Sequence, residues 1–133
     1  MKHLLTSLIV IVSFYSNAFS QENSPVIDSL IGVIDNTKQD SNRVNALLDY
    51  SNRIYQSDPL LDFQLNQRVD SICTYHLERD PSEKEFTFYT NALAIALNAK
   101  GIYYQMQGKL DQALSHYTKC IELKEELGDK MGV

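Results

Sequence analysis

Apolar residues recur along this chain in steps of three and four, the spacing that places side chains on one face of an α-helix. A first helix is predicted within residues 24–40, starting at Ser24-Pro25, and a second is expected to be capped by Asp40 or Ser41. A third helix is predicted after Asp58-Pro59. The apolar positions of the three helices are Ile27, Leu30, Ile31 and Ile34, then Val44, Leu47, Leu48, Ile54 and Tyr55, then Leu61, Leu65, Val69, Ile72 and Cys73.

Two longer helices are predicted over residues 81–128. Asp80 is expected to cap the first, with a proline at the first helical position and a carboxylate three residues after the cap. Gly108 is expected to end that helix in a left-handed conformation, and Gly128-Asp129 to close a last helix that starts at about Lys109. The apolar positions of the two helices are Phe86, Tyr89, Leu93, Leu97, Gly101 and Tyr104, then Leu110, Ala113, Leu114, Tyr117, Cys120 and Ile121. Because no segment alternates like a strand, the predicted fold class is all-α, with antiparallel helix hairpins.

The last two helices carry small and aromatic residues at fixed offsets. In chain order this set is Leu97, Gly101, Tyr104, Gly108, Ala113, Tyr117 and Cys120. With these residues the segment 94–127 resembles a tetratricopeptide repeat, whose unit is 34 residues long. The resemblance implies that Gly101 and Ala113 lie where two helices cross, and that aromatic rings fill the space beside the crossing. Cys120 stands where the family usually has alanine, which a small buried thiol can replace.

The chain also departs from the repeat pattern at several positions. Lys100 stands where the family prefers leucine, and looser packing is expected there; Glu125 stands where a proline often ends the unit. A degenerate repeat-like helix pair is predicted over residues 44–78, with Asn52 and Asp62 in place of the expected glycine and alanine. The resemblance thus implies hairpins stacked as a short α-solenoid, and an unrelated five-helix bundle is the alternative.

Stacked helix pairs line a concave surface with the first helix of each repeat, and such a surface holds an extended or helical peptide. The resemblance implies that Asn98, Ile102 and Gln105 face this groove, with ordinary helix surface as the alternative. Since only Asn98 suits a terminal carboxylate, a carboxylate clamp is not predicted. The implied function is a non-catalytic scaffold for a protein or peptide partner. The alternative is the periplasmic sensory segment of a longer histidine kinase or transcriptional regulator.

The first twenty residues have the three-part pattern of a secretory signal peptide. Lys2 and His3 precede an apolar run from Leu4 to Tyr15, and Ala18-Phe19-Ser20 places small residues before a cut ahead of Gln21. This run is shorter than the about 20 residues of a membrane helix, so cleavage is favoured over a retained anchor. An exported protein, periplasmic or secreted, with no membrane span after cleavage is therefore predicted.

Charge and motif content limit the other classes of function. Loss of Lys2 with the signal leaves 11 Lys and Arg against 17 Asp and Glu, a net charge of −6, which argues against nucleic acid. No phosphate loop, metalloprotease motif or nucleophile elbow is present, so neither an enzyme nor a cofactor is predicted. Zinc ligands could be drawn from Cys73-x-x-His76 and His116-x-x-x-Cys120, but core-packed cysteines are favoured and no metal is predicted. A disulfide between the two cysteines is not expected either.

Repeat physics also bears on the end of the chain. Each repeat buries its apolar face against a neighbour, and about three are normally needed, with a polar capping helix at the end. Residues 129–133 are expected to start a following unit. The last complete helix is therefore expected to expose an apolar edge and to favour self-association.

Overall fold

The computed structural model of the chain describes residues 24–130, with the side chain of residue 130 left aside, so the predicted signal peptide and residues 131–133 lie outside the described part. Five helices account for most of these residues: α1 (Pro25–Asn36), α2 (Asp40–Ile54), α3 (Pro59–Leu77), α4 (Glu83–Met106) and α5 (Leu110–Lys130). Residues 24–130 contain no strand. The all-α fold class, with helix hairpins stacked in chain order, is confirmed.

Two helices begin where the sequence predicted. Ser24 Oγ accepts a hydrogen bond from the Ile27 amide at 3.3 Å, and Asp58 Oδ1 accepts one from the Leu61 amide at 3.1 Å. In both cases a proline follows the cap and occupies a position that needs no amide hydrogen. Each cap satisfies one of the amides that have no partner within the helix.

The predicted cap of α2 was wrong. Gln39 is the capping residue and forms no side-chain cap hydrogen bond, while Asp40 is the first residue of the helix. The carboxylate of Asp40 is engaged by other side chains, since it pairs with Arg43 and lies 2.8 Å from Nε2 of His76 on α3. The Asp40 carboxylate, which the sequence pattern assigned to capping α2, instead contacts His76 on α3.

The predicted cap of α4 was also wrong, by two residues. Asp80 takes a positive φ of 49° in the turn before the helix, so it is not in the extended conformation of a capping residue. Ser82 caps instead: its Oγ accepts from the Glu85 amide at 3.1 Å, and the Ser82 amide donates to Glu85 Oε1 at 3.2 Å. This reciprocal pair is a capping box, and it lowers the pKa of the Glu85 carboxyl through those hydrogen bonds.

In the last hairpin, the turn at Gly108 was predicted correctly but the end of α5 was not. Gly108 has φ 74°, the left-handed conformation expected after α4. The predicted stop at Gly128-Asp129 was wrong, because α5 continues through Gly128 to Lys130. Nothing lies within 4 Å of a Cβ built on Gly128, so the helix passes through this glycine without a close approach.

The core runs along the middle of the helix stack. Each helix packs mainly on its neighbours in the chain, and α2 makes only a small direct contact with α4. The fully buried side chains with the largest volumes are Leu47, Val44, Val69, Asn66, Thr90 and Cys73. Because α2 and α4 touch little, a cleft is left between them over α3.

Lys100 does not loosen the packing, contrary to expectation. Its side chain is 6% exposed, and its Nζ lies 2.9 Å from Oδ2 of Asp70 on α3. Thr74 Oγ1 donates to the other oxygen of the Asp70 carboxylate at 3.1 Å. The position where the repeat family prefers leucine therefore holds a buried ion pair between α3 and α4.

Candidate functional site

A cleft of about 330 Å³ lies between α2 and α4, with α3 beneath it. We call it the α2–α4 groove. Its lining residues are Leu48, Ser51, Asn52 and Tyr55 from α2 and its C-terminal end, Asp62 and Asn66 from α3, and Ile95, Asn98, Ala99 and Ile102 from α4. Most of the exposed lining is apolar, with Asn52, Tyr55 and Asn98 adding polar groups to the walls and three more polar side chains forming the floor, an arrangement common in binding sites.

The floor consists of Ser51, Asp62 and Asn66, all three buried. Ser51 Oγ donates to Asp62 Oδ1, and Asn66 Nδ2 donates to Ser51 Oγ at 2.9 Å and to the Asp62 backbone carbonyl at 2.9 Å. Oδ1 of Asn66 is buried and has no hydrogen-bond partner among residues 24–130. The floor thus presents oxygen acceptors and holds them in fixed positions.

The Asp62 carboxyl is the group whose charge this floor controls. Burial raises its pKa, and hydrogen bonds from Ser51 and Asn66 oppose part of the rise. A carboxyl with a raised pKa binds its proton more tightly in the folded chain, so its ionisation lowers stability as pH rises through that pKa. The groove therefore holds a carboxylate whose solvation is incomplete.

Two of the three residues implied to face a groove are in its lining. Asn98 and Ile102 lie one helical turn apart on α4, and both are exposed. Gln105 is absent from the lining, and its Oε1 accepts a hydrogen bond from the Tyr117 hydroxyl at 2.7 Å. That bond joins α4 to α5.

Gly101 lies directly against α5. A Cβ built on Gly101 would stand 2.6 Å from Cε1 and 2.7 Å from Cδ1 of Tyr117, so the ring fills the space that a side chain would need. Tyr104 is half-buried, with its ring centre 5.4 Å from that of Phe63 and 5.0 Å from that of His116. Of the other repeat-signature residues, Leu97, Ala113 and Cys120 are buried, and Gly108 is exposed at the turn.

Three predicted core positions of α5 are on the surface, which corrects their assignment. Leu110 is 66% exposed, Leu114 is 65% exposed and Ile121 is 56% exposed. They follow one another at intervals of four and seven residues, so they form one stripe along the helix. The face that does pack on α4 carries Ala113, Cys120 and Leu123.

The two cysteines are core residues. Cys73 and Cys120 are both buried and free, and burial, with a smaller effect of Asp70, raises the pKa of the Cys73 thiol to about 12. Within the described part of the chain, no three His, Cys, Asp or Glu side chains are grouped so that they could hold a metal ion.

The polar floor was not predicted as a site, although Asp62 departs from the repeat pattern. Asp62 and Asn66 are one helical turn apart, directly beside the buried positions Leu65 and Val69. Two polar residues four positions apart beside buried positions of one helix are a sequence signal for a buried polar cluster. Their meeting with Ser51 depends on how α2 packs on α3 and is not visible in sequence.

The stacked hairpins define the class of protein: a helical-repeat fold in which each helix packs mainly on its neighbours in the chain. Residues 94–127 match the sequence model of the tetratricopeptide repeat family, so this segment is a tetratricopeptide repeat and the resemblance is confirmed. No curated protein and no solved structure matched the chain. None of the helices within residues 24–130 has the length and apolar character needed to cross a membrane. Tetratricopeptide repeats are scaffolds for protein–protein interaction, and this is the general function that the match supports.

Proposed function

We propose that the protein is an exported, non-catalytic scaffold that binds a peptide or protein segment in the α2–α4 groove. The observation that carries the proposal is the groove itself, an open cleft with mostly apolar walls and a hydrogen-bonded polar floor. Ile95 and Ile102 are both exposed on its α4 side, where a partner would cover them. Peptide-binding grooves of helical repeats combine side chains of this kind.

The test begins with a selection of peptides from a phage-displayed random library on the immobilised protein. Replacing both Ile95 and Ile102 by alanine is expected to weaken the selected peptides about tenfold, because each loses apolar area that binding buries. Affinity is measured by isothermal titration calorimetry. The matched control is Leu60→Ala, an exposed leucine at the start of α3 outside the groove, which should leave affinity unchanged. Peptides that respond equally to both changes would contradict a site in the groove.

Export is the second part of the proposal, and residues 1–20 support it. Their basic start, apolar run and small residues before Gln21 are typical of a cleaved secretory signal. A mature protein whose measured mass begins at Gln21 is expected after secretion. A mass that still includes Met1 in the exported fraction would contradict cleavage.

We also propose that the exposed stripe of α5 pairs with the same stripe of a second copy. Leu110, Leu114 and Ile121 are exposed along one side of α5, and burying them against a second copy would remove apolar area from water. The chain from residue 21 is expected to dimerise with rising concentration in sedimentation velocity. Replacing Leu114 and Ile121 by serine should shift it to monomer without loss of helix. A wild-type chain that stays monomeric at all concentrations would overturn the pairing.

A further inference from the structure

Asn66 presents an acceptor that nothing in residues 24–130 satisfies. The side chain is 0% exposed, yet its Oδ1 has no partner, while its Nδ2 has three oxygen neighbours. The orientation of this amide follows from the Asp62 backbone carbonyl, since an exchanged amide would set two oxygens against each other. A buried acceptor without a donor costs free energy, so a donor that displaced the side chains covering Oδ1 and bound it would relieve that cost.

The charged groups that line the groove are acidic only. Asp62 is the only Asp or Glu among the ten lining residues, and none of the ten is Lys, Arg or His. Its Oδ1 accepts from Ser51 and Asn66, and no protein donor to Oδ2 is found among residues 24–130. A cation is the partner group that would best compensate a carboxylate already deprived of part of its hydration.

The walls above this floor suit a long aliphatic stem. Leu48, Ile95 and Ile102 provide apolar contact on two sides, and Tyr55 stands at the end of α2. Lysine buries its four methylenes along such surfaces while its ammonium reaches a polar group. Arginine is less suitable, because its paired donors favour a carboxylate with both oxygens open, and Oδ1 of Asp62 is already occupied.

We infer that the α2–α4 groove recognises a lysine side chain of its partner, with the ammonium held by Asp62 and Asn66. This inference rests on the proposed peptide-binding function and specifies its ligand. The ammonium donates to the Asp62 carboxylate, and to Asn66 Oδ1 once the side chains that cover this buried atom move aside, while the methylenes lie along Ile95 and Ile102. No bond is made or broken, and the protein supplies only acceptors and apolar contact.

Selection on two proteins tests the inference. Peptides are selected from a random phage-displayed library on the wild type and, separately, on Asp62→Asn, which keeps an oxygen acceptor for Ser51 and Asn66. Lysine is expected at one fixed position in the wild-type set and is expected to lose its enrichment on the variant. The leading peptide should bind Asp62→Asn about tenfold or more weakly, as a charge-assisted hydrogen bond would require. Circular dichroism establishes that the variant is folded.

Three comparisons make the result specific. Asp49→Asn, an exposed carboxylate on α2 paired with Arg53, should leave affinity unchanged. Replacing the peptide lysine by norleucine, or acetylating it, should lower affinity for the wild type as much as Asp62→Asn does. When the peptide change and Asp62→Asn are combined, the total loss of binding free energy should be smaller than the sum of the two single losses. Arginine at that position should bind more weakly than lysine.

The outcomes separate the two proposals. Peptides that depend on Ile95 and Ile102 but carry no preferred lysine, or bind Asp62→Asn as well as the wild type, would overturn the lysine site and leave the groove intact. Peptides that bind as tightly with arginine as with lysine at the selected position would also overturn the lysine site. A library that yields no groove-dependent peptide would overturn both the groove and the lysine site.

Discussion

Replacing Asp70 by asparagine is expected to lower the free energy of unfolding by about 3 kcal/mol, because it leaves a buried ammonium without its countercharge. The Lys100 side chain is 6% exposed, and the 2.9 Å contact with Asp70 is the ion pair found for its Nζ among the described residues. Asp70 is itself 24% exposed, which places the effect at the lower end of the range for a buried pair. Urea unfolding monitored by circular dichroism gives the change in midpoint and slope.

The informative control removes the other partner. Lys100→Met keeps a long unbranched side chain without the charge, and a buried ion pair replaced by apolar contact is often neutral or stabilising. Asp70 would still be hydrogen-bonded by Thr74 and partly solvated. We expect Lys100→Met to change stability by less than about 1 kcal/mol. If both variants lost the same free energy, the buried charge would not be the cause.

Replacing Gly101 by alanine is expected to destabilise the protein by about 2 kcal/mol, because the new methyl group would overlap the Tyr117 ring. The nearest ring atom is 2.6 Å from the position of that Cβ, and the Tyr117 hydroxyl is held by Gln105. Moving the ring would therefore break the hydrogen bond between α4 and α5. Thermal unfolding gives the shift in midpoint, and urea unfolding gives the free energy.

Gly32→Ala is the matched control, since Gly32 is also helical and nothing lies within 4 Å of its Cβ position. There the higher helix propensity of alanine should stabilise the chain by about 1 kcal/mol. Adding Tyr117→Ala to Gly101→Ala should recover part of the loss, so the two changes should be non-additive. Similar stabilisation by both glycine substitutions would contradict a close approach at Gly101.

Much of the fold was predictable because it depends on local chemistry. The apolar spacing predicted five helices, and the caps at Ser24 and Asp58 act within three residues. The capping box shows the limit of local reasoning. Asp80-Pro81 and Ser82 both fit a helix start by residue type, and the backbone conformation at Asp80 is what excludes the first.

The candidate site was predictable only in part. Asn98 and Ile102 line the groove, because their place on α4 follows from helical periodicity within the repeat. Gln105 lies on the same helix less than one turn after Ile102, yet its side chain accepts a hydrogen bond from Tyr117 on α5 instead of lining the groove. Ser51, Asp62 and Asn66 were not recognised as a floor, since they come from two helices whose relative placement no residue pattern specifies.

The helices, the turn at Gly108 and the repeat at residues 94–127 could be predicted from residue order alone, because periodicity, capping and glycine conformation act over a few neighbouring residues. Which helix faces became interior depended on how the helices pack against one another. This packing left the Leu110 and Leu114 stripe in water, paired Lys100 with Asp70 and enclosed the polar floor. Burial and charge pairing depend on what a neighbouring helix presents, and that is fixed only when the helices pack.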